Sequence, residues 1–291
     1  MLNVPEFQKA AKDFRAGKLD IQQFTRLLYA VGDASTSQPT KADARVGTNE
    51  SLPRSGQTSQ ADSANAANGP RLNLDLARVT RCGYSEVIYA PGKSLEDLNL
   101  AAQRLLSERQ SVLITRLEAP DASALLERFP TARHNAQART FSIASGNDAT
   151  AARANVGTVA VLTAGTGDIP VAEEACETLR WMGFIPTSIY DIGVAGPQRL
   201  LNQVPFLQTC DVIVVVAGME GALPSVVGGH VACPVIAVPT SLGYGAHFQG
   251  LVPLLGMINS CAANVIAVNI DSGFKGGFVA GLILSKLRAS V

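Results

Sequence analysis

Charge is missing from a long stretch of this chain, because residues 221 to 270 contain no Asp, Glu, Lys or Arg. Such a stretch is expected in a protein interior. It does not predict a membrane span, because Pro234, Pro239, Pro253 and several glycines interrupt every window of about 20 residues that a bilayer crossing needs. Its short apolar runs predict a buried strand and loop, then a helix, then a second buried strand.

The rest of the chain is also poor in charge. Only 16% of its residues are charged, 5% are aromatic and the formal net charge is zero, with no cluster of Lys and Arg. This composition argues against a nucleic acid or a membrane as partner and favours a small molecule. The hydrophobic content of 47% and the 26 glycines are typical of an α/β protein with an enclosed sheet.

The cysteines lack any disulfide or metal-binding pattern. There are five, an odd number, mostly within apolar stretches. This favours reduced thiols in a cytoplasmic protein, and no residues show metal-ligand spacing. The first 20 residues contain no apolar core of a signal peptide, which agrees with a cytoplasmic location.

Four regions follow from the pattern along the chain. Residues 1–30 predict two short amphipathic helices, 31–71 a disordered linker rich in small polar residues, 72–150 a small α/β module, and 151–291 a larger α/β domain. In the last region strands alternate with helices, which predicts a parallel sheet with helices on both faces, a three-layer fold of the flavodoxin or Rossmann kind.

Ligands of such sheets bind where loops leave the carboxyl ends of the strands. The first candidate loop contains Gly165, Thr166 and Gly167, whose backbone amides and hydroxyl could hold a phosphate. Asp168 follows and could accept hydrogen bonds from ribose hydroxyls. Capping of the next helix and turn formation are the alternative roles of this loop.

Two further loops are candidates. Glu220, between Met219 and Gly221, is flanked by apolar segments, so we expect its carboxylate to be partly desolvated and suited to proton transfer; a solvated or helix-capping side chain is the alternative. The loop from residue 239 to residue 245 is rich in glycine and could let backbone approach a ligand, or it could be an ordinary connection.

Cys261 is one of the two thiols of the uncharged stretch, together with Cys233. Free cysteines are commonly buried and inert, so a structural role is the alternative to nucleophilic catalysis. The end of the predicted helix before Cys261 would disfavour a thiolate through the helix dipole, whereas a cationic substrate would favour it.

Several long blocks occur in the order found in one family. They are AGTGDIPVAEEA, YDIGVAG, VVVAGMEGALPSVVGG, CPVIAVPTSLGYGA, LLGMINSCA and VNIDSGF, with RCGYSEVIYAPGKS upstream. Together they resemble the LarB family, the pyridinium carboxylases and hydrolases of nickel-pincer nucleotide biosynthesis. The C-terminal half is similar to the PurE class of aminoimidazole ribonucleotide carboxylases and mutases.

The resemblance implies that nicotinic acid adenine dinucleotide is carboxylated with CO2 and cleaved at its phosphoanhydride, giving pyridinium-3,5-biscarboxylic acid mononucleotide and AMP. It implies that the Cys261 thiolate adds beside the ring nitrogen, that Glu220 then takes the ring proton, and that Asp168 is the alternative base or a ribose ligand. The substrate-binding residues it implies are Gly165, Thr166, Gly167, Asp191, Gly196, Arg199, Gly218, Met219, Gly221, Ala222, Ser241, Gly243, Tyr244 and Gly245. No tightly bound cofactor is expected, and Mg2+ could arrive with the substrate pyrophosphate.

The chain also departs from the family pattern. Gln198 stands where a histidine is usual, and Gly167 replaces a commoner serine. His230 and His247 are expected to be structural. A PurE-type purine carboxylase or mutase and a non-catalytic nucleotide-binding protein therefore remain as alternative functions. The PurE resemblance implies a homo-oligomer, with an octamer favoured.

Overall fold

Two sheets follow one another in the computed structural model, which describes residues 72–145 and 157–287 together with a few isolated positions between 9 and 23. Among those isolated positions Lys9, Lys12, Asp13 and Gln23 are helical. Most of the two expected N-terminal helices, and the whole expected linker over 31–71, lie outside the described residues.

The first described stretch forms a small four-stranded sheet with helices. Its elements are α1 Arg78–Cys82, β1 Ile88–Tyr89, α2 Leu95–Ser107, β2 Val112–Thr115, α3 Ala119–Arg128, β3 Arg133–Asn135 and β4 Thr140–Ile143. The strand order is β1-β2-β4-β3, with β1 parallel to β2 and the other pairs antiparallel. A capping box between Ser94 and Asp97 begins α2, because each side chain bonds the backbone N–H of the other residue.

The second stretch forms a five-stranded parallel sheet. Its elements are β5 Val159–Thr163, a 3₁₀ turn Thr166–Asp168, α4 Ile169–Trp181, β6 Thr187–Ile189, α5 Pro197–Leu201, α6 Val204–Leu207, β7 Val212–Ala217, α7 Leu223–Gly228, β8 Val235–Pro239, a 3₁₀ turn Phe248–Gly250, α8 Leu251–Ile258, β9 Val265–Ala267 and α9 Gly273–Leu287. The strand order is β6-β5-β7-β8-β9, and every neighbouring pair is parallel. The predicted parallel sheet is confirmed.

Helices cover both faces of this sheet, which produces the three predicted layers. Helices α4 and α9 pack on one face, and α5 to α8 pack on the other. The central strands β5, β7 and β8 are buried along their full length. Strands buried on both faces need apolar side chains at every position, which explains the continuous Val and Ile runs.

The uncharged stretch has the predicted order of strand, helix and strand, as β8, α8 and β9. The expectation that it is interior is wrong for one side of α8, where Leu251, Leu255 and Ile258 are 46%, 49% and 61% exposed. Only the opposite side of α8, with Pro253 and Met257, faces the sheet. Because α8 forms an outer layer, nothing else within the described part of the chain covers its second side. No described helix is long and apolar enough to cross a bilayer.

The small module packs against α4 and α9 of the parallel-sheet domain. The ring of Tyr84 lies 5.8 Å from that of Trp181 and 5.7 Å from that of Phe278. Next to this aromatic contact, Arg133 donates to the buried carboxylate of Glu177 across 2.8 Å. The contact between the small module and these two helices is therefore partly apolar and partly ionic.

Candidate functional site

The parallel sheet has a switch point at the carboxyl ends of β5 and β7. From β5 the chain passes to β6 on one side, and it then returns to β7 on the other side. Loops that leave in opposite directions open a crevice, where ligands of such sheets bind. A cavity of about 380 Å³ lies there, lined by the loops that follow β5, β6, β7 and β8. Cavities of this size hold small-molecule ligands.

Asp168 is the buried carboxylate of this cavity, with 5% of its surface exposed. One carboxylate oxygen accepts from the backbone N–H of Gly165 across 2.9 Å, and the other accepts from the hydroxyl of Thr240 across 2.8 Å. Burial raises the pKa of Asp168, although these two hydrogen bonds oppose the shift. The side chain makes no capping bond to α4, so the alternative role as a helix cap is wrong, but its bond to Gly165 closes the 3₁₀ turn, as the alternative of turn formation predicts.

Glu220 also lines the cavity, but its side chain is exposed. The expectation of partial desolvation is therefore wrong in a single chain, because apolar neighbours in sequence do not cover a residue at a loop tip. The preceding residue, Met219, has a φ of 53°. A non-glycine residue in this region stores strain, which is common in loops that hold a ligand.

Close contact between two loops shapes the floor of the cavity. A Cβ on Gly218 would lie 2.3 Å from the carbonyl oxygen of Leu242 and 2.7 Å from the hydroxyl of Thr240. Only glycine lets the loop after β7 approach the loop after β8 this closely. Gly221, with a φ of 71°, turns the same loop against Pro253 of α8.

Three predicted residues, Asp191, Gly196 and Arg199, meet between the end of β6 and α5. Arg199 lines the cavity and donates to the carboxylate of Asp191 across 2.7 Å. A Cβ on Gly196 would lie 2.7 Å from Nε of Arg199, so the absence of a side chain there leaves room for the guanidinium. This arrangement holds a cation at the cavity wall, where it suits an anionic ligand.

The structure brings together only part of the predicted set. Besides Asp168, Glu220 and Arg199, the predicted residues that line the cavity are Gly165, Gly167, Gly218, Met219, Ala222 and Gly243. Those that do not line it are Thr166, Asp191, Gly196, Gly221, Ser241, Tyr244 and Gly245. Tyr244 is 80% exposed, because the glycine-rich loop extends beyond the cavity. Gln198 also lies outside the lining, and its side chain donates to Asn202 across 2.8 Å.

Several cavity residues were not among the predicted site residues. Ala164, Gly193, Val194, Ala195, Ala217, Leu223 and Leu242 line the cavity, and none of them has a polar side chain. Their position in the segments that follow the predicted strands is the signal that could have identified most of them. Within the described residues, no group of three or more His, Cys, Asp and Glu side chains could hold a metal ion.

His247 packs against Gly243, which lines the cavity. Its Nδ1 accepts from the backbone N–H of Gly250 across 3.2 Å, and a Cβ on Gly243 would meet its ring at 2.5 Å. These contacts agree with the expected structural role. Its Nε2 is buried and has no hydrogen-bond partner in the described part of the chain.

Cys261 is exposed and does not line the cavity. It follows α8, where the hydroxyl of the preceding Ser260 lies 2.7 Å from that of Ser225 in α7. The expected thiol therefore belongs to the outer surface of the layer that contains α7 and α8. Within one chain it is separate from Asp168 and Glu220.

Family models cover nearly all of the described chain. Residues 69–145 match the model of the LarB/PurE-like N-terminal domain, and residues 158–291 match that of AIR carboxylase. An uncharacterized protein of Methanocaldococcus jannaschii is 41% identical over 222 residues, which cover 73% of this chain and 84% of that protein.

Two further proteins match the chain over less than half its length. The N5-carboxyaminoimidazole ribonucleotide mutase of the same organism is 28% identical over 131 residues, 44% of this chain and 78% of the mutase. The crystal structure of Treponema denticola PurE is 18% identical, with a TM-score of 0.38, over 46% of this chain and 85% of that chain.

Proposed function

The chain belongs to the LarB family and has a PurE-like C-terminal domain, and from this premise we propose that it carboxylates the pyridinium ring of nicotinic acid adenine dinucleotide. CO2 is the co-substrate. The enzyme also hydrolyses the phosphoanhydride, so that the products are pyridinium-3,5-biscarboxylic acid mononucleotide and AMP. Mg2+ would enter with the pyrophosphate of the substrate, and no tightly bound cofactor takes part.

The cavity at the switch point is the observation that carries this proposal. It combines a buried carboxylate, Asp168, with an exposed one, Glu220, and a cation, Arg199, in a wall made mostly of small apolar residues. A cationic pyridinium ring suits a site with carboxylates, and the nucleotide phosphate suits the guanidinium. An apolar wall favours CO2 over bicarbonate and limits access of water to the reactive intermediate.

The proposed carboxylation has three steps, two that form bonds and a final one in which a proton and the thiolate are lost. The Cys261 thiolate forms a C–S bond with the ring, and a ring electron pair moves to the nitrogen to give an enamine. The enamine carbon then attacks CO2 and forms the new C–C bond. A carboxylate removes the proton from that carbon, and the electron pair restores the aromatic ring while the thiolate leaves.

Asp168 is the better candidate for the base of the last step. Burial raises the pKa of Asp168 toward neutral pH, and a general base works best when its pKa lies near the working pH. Glu220, the candidate favoured by the sequence, offers the more open side chain. Because both line the cavity, the variants Asp168→Asn and Glu220→Gln distinguish them: the residue that acts as base loses turnover while substrate affinity remains.

Because Cys261 is exposed and lies outside the cavity of its own chain, its proposed catalytic role places the thiol in the cavity of a neighbouring copy. The apolar side of α8, formed by Leu251, Leu255 and Ile258, lies directly before Cys261 in the chain. Exposed apolar surface of this kind marks a contact with another protein chain. We therefore propose a homo-oligomer, an octamer as in the PurE class, in which contact through α8 carries the thiol to the next cavity.

Mass analysis of the products tests the reaction. The protein is incubated with the dinucleotide, labelled bicarbonate and Mg2+, and the labelled dicarboxylated mononucleotide and AMP are the expected products. Cys261→Ala should give no labelled product. Unchanged dinucleotide, with protein shown to be folded and oligomeric, would contradict the proposal, and tight binding without turnover would favour a non-catalytic nucleotide-binding protein.

Mixing two inactive variants tests whether the thiol acts in a neighbouring copy. Cys261→Ala and Asp168→Asn subunits are dissociated, mixed and reassembled. If thiol and carboxylate come from different copies, mixed oligomers contain some complete sites and activity returns. If activity stays absent although light scattering shows mixed oligomers, the thiol and carboxylate act within one chain.

A purine carboxylase or mutase is the second candidate. The AIR carboxylase match and the 28% identity to the mutase favour it. That reaction uses an aminoimidazole ribonucleotide and needs no thiol. Turnover of this nucleotide that persists in Cys261→Ala would select it.

A further inference from the structure

A second cleft adjoins the proposed catalytic cavity. It has a volume of about 320 Å³ and lies between the small module and the parallel-sheet domain. Gly167 and Leu242 line both spaces, so the two spaces meet at these residues. A ligand longer than one nucleotide could therefore extend from the cavity into the cleft.

Arg116 is the first cation of this cleft, and it directly follows β2 of the small module. Its Nε lies 3.5 Å from a carboxylate oxygen of the buried Glu174, and its guanidinium also donates to the backbone carbonyl of Asp271. Both partners belong to the parallel-sheet domain. The contacts hold the guanidinium in place, and a guanidinium has five N–H donors, more than these contacts use.

Arg139 is the second cation, and it directly precedes β4. Its side chain is 45% exposed and pairs with Glu118, which is itself 69% exposed. Because both members of this pair are largely exposed, a bound anion can compete with Glu118 for the guanidinium.

Two carboxylates also line the cleft, and both are already engaged. Glu174 pairs with Arg116 and accepts from the backbone N–H of Phe274 across 3.1 Å. Asp271 accepts from the backbone N–H of Ser241 across 2.7 Å. Because each carboxylate already accepts an internal hydrogen bond, the charged donors left in the cleft are the two guanidinium groups.

We propose that this cleft, which we name the arginine cleft, binds the second nucleotide of the dinucleotide with its own phosphate, the half that leaves as AMP. The inference rests on the proposed function, because only a dinucleotide needs both spaces. Guanidinium groups bind phosphate oxygens through paired, charge-assisted hydrogen bonds.

The inference gives the small module a role. Both arginines precede residue 158, where the AIR carboxylase match begins. A mononucleotide would fill only the switch-point cavity. The small module thus supplies the contacts that distinguish a dinucleotide from a mononucleotide.

Calorimetric titration of the full chain tests the arginine cleft. Wild type, Arg139→Ala, Arg116→Lys and the control Arg104→Ala are titrated with nicotinic acid adenine dinucleotide, AMP and nicotinic acid mononucleotide. Among the described residues, Arg104 of α2 pairs with the exposed Glu108 alone, and it lies in neither space. Arg139→Ala should weaken the dinucleotide and AMP by about tenfold, as expected for one lost charge-assisted hydrogen bond. Its affinity for the mononucleotide should match that of wild type and of the control.

The outcomes separate this inference from the proposed function. If wild type carboxylates the dinucleotide and both arginine variants bind it as tightly as wild type, the arginine cleft is wrong and the function stands. If wild type does not carboxylate the dinucleotide, the proposed function is wrong. In that event, AMP affinity that depends on Arg139 still supports the cleft as a nucleotide site, and AMP affinity independent of Arg139 overturns it. Because the side chain of Arg139 is half exposed, its truncation tests the cleft even if Arg116→Lys fails to fold.

Discussion

The hydroxyl of Thr240 donates to the carboxylate of Asp168 across 2.8 Å, and both groups are buried. The bond joins the end of β8 to the turn that begins α4. It stabilises the charged form of a carboxylate that burial otherwise drives toward the neutral form. This one contact therefore positions Asp168 in the cavity and adjusts its proton affinity.

The pH dependence of activity should respond to the neighbours of Asp168. Thr240→Val removes the donated hydrogen bond, so the pKa of Asp168 rises and the acidic limb of kcat/KM moves to higher pH. Asp271→Asn removes a negative charge that raises this pKa, so the limb moves to lower pH. Asparagine also tolerates the left-handed backbone of Asp271, which has a φ of 53°. If pH–rate profiles show the same limb in both variants, Asp168 is not the base.

The exposed thiols should be alkylated in the native protein, and the buried thiols should not. Burial raises the pKa of Cys176 to about 11 and that of Cys210 to about 12, so both should resist alkylation in the native protein. Cys82 and Cys261 are exposed and should react. Peptide mass mapping after iodoacetamide treatment checks this.

Substrate should protect one of the two exposed thiols. We expect the dinucleotide to slow alkylation of Cys261, because the thiol acts in a ligand-bound cavity of the oligomer, and to leave Cys82 unaffected. Cys82→Ser is the matched control and should keep full activity. Equal alkylation of Cys261 with and without substrate would argue against its place in the site.

Glu177 should be important for stability. This carboxylate is 3% exposed and accepts from Arg133 across 2.8 Å, Arg180 across 2.9 Å and Asn135 across 3.0 Å. Glu177→Gln removes the charge that these donors share, so the free energy of unfolding should fall by about 1–3 kcal/mol. Urea denaturation followed by circular dichroism measures the change.

An exposed ion pair provides the control for that measurement. Glu108 pairs with Arg104 across 3.1 Å on the surface of α2. Glu108→Gln should change the free energy of unfolding by less than about 1 kcal/mol. An effect of equal size in the two variants would show that burial of Glu177 does not matter.

Gly218 should not accept a side chain. The Cβ of Gly218→Ala would lie 2.3 Å from a backbone oxygen of Leu242, so the loop after β8 must move and turnover should fall at least about tenfold. Gly229→Ala is the control, because Gly229 lines neither the cavity nor the arginine cleft and its Cβ would come no closer than 3.4 Å to the carbonyl oxygen of Val226. Steady-state kinetics should show near wild-type turnover for Gly229→Ala. Similar turnover in the two variants would show that the contact between the loops is not needed.

The switch-point loops could be predicted from sequence because strands and helices alternate with clear periods. The loops after β5 and β7 follow Val-rich runs and begin with small residues. What could not be predicted is which carboxylate is buried. Glu220 has apolar neighbours along the chain yet is exposed. Asp168 is buried, and it accepts a hydrogen bond from Thr240, which is 72 residues away in sequence.

The position of Cys261 shows the same limit. Its apolar context suggested an interior thiol. Helix α8 is apolar on both sides, but one side packs on the sheet and the other is exposed, as is the thiol that follows it. In a helix without charged residues, the sequence does not show which side faces the core. The exposed side then has no local signal that distinguishes it from a buried one.

The sequence alone determined the alternation of strands and helices, the parallel sheet, the loops that hold ligands and the family resemblance. These depend on local periodicity and on residues next to one another in the chain. Only the tertiary structure decided which carboxylate is buried, where the thiol lies, and that Arg116 meets Asp271, which is 155 residues away. The physical reason is that burial and ion pairing depend on strand order and on the packing of two sheets, which bring together residues that share no local pattern.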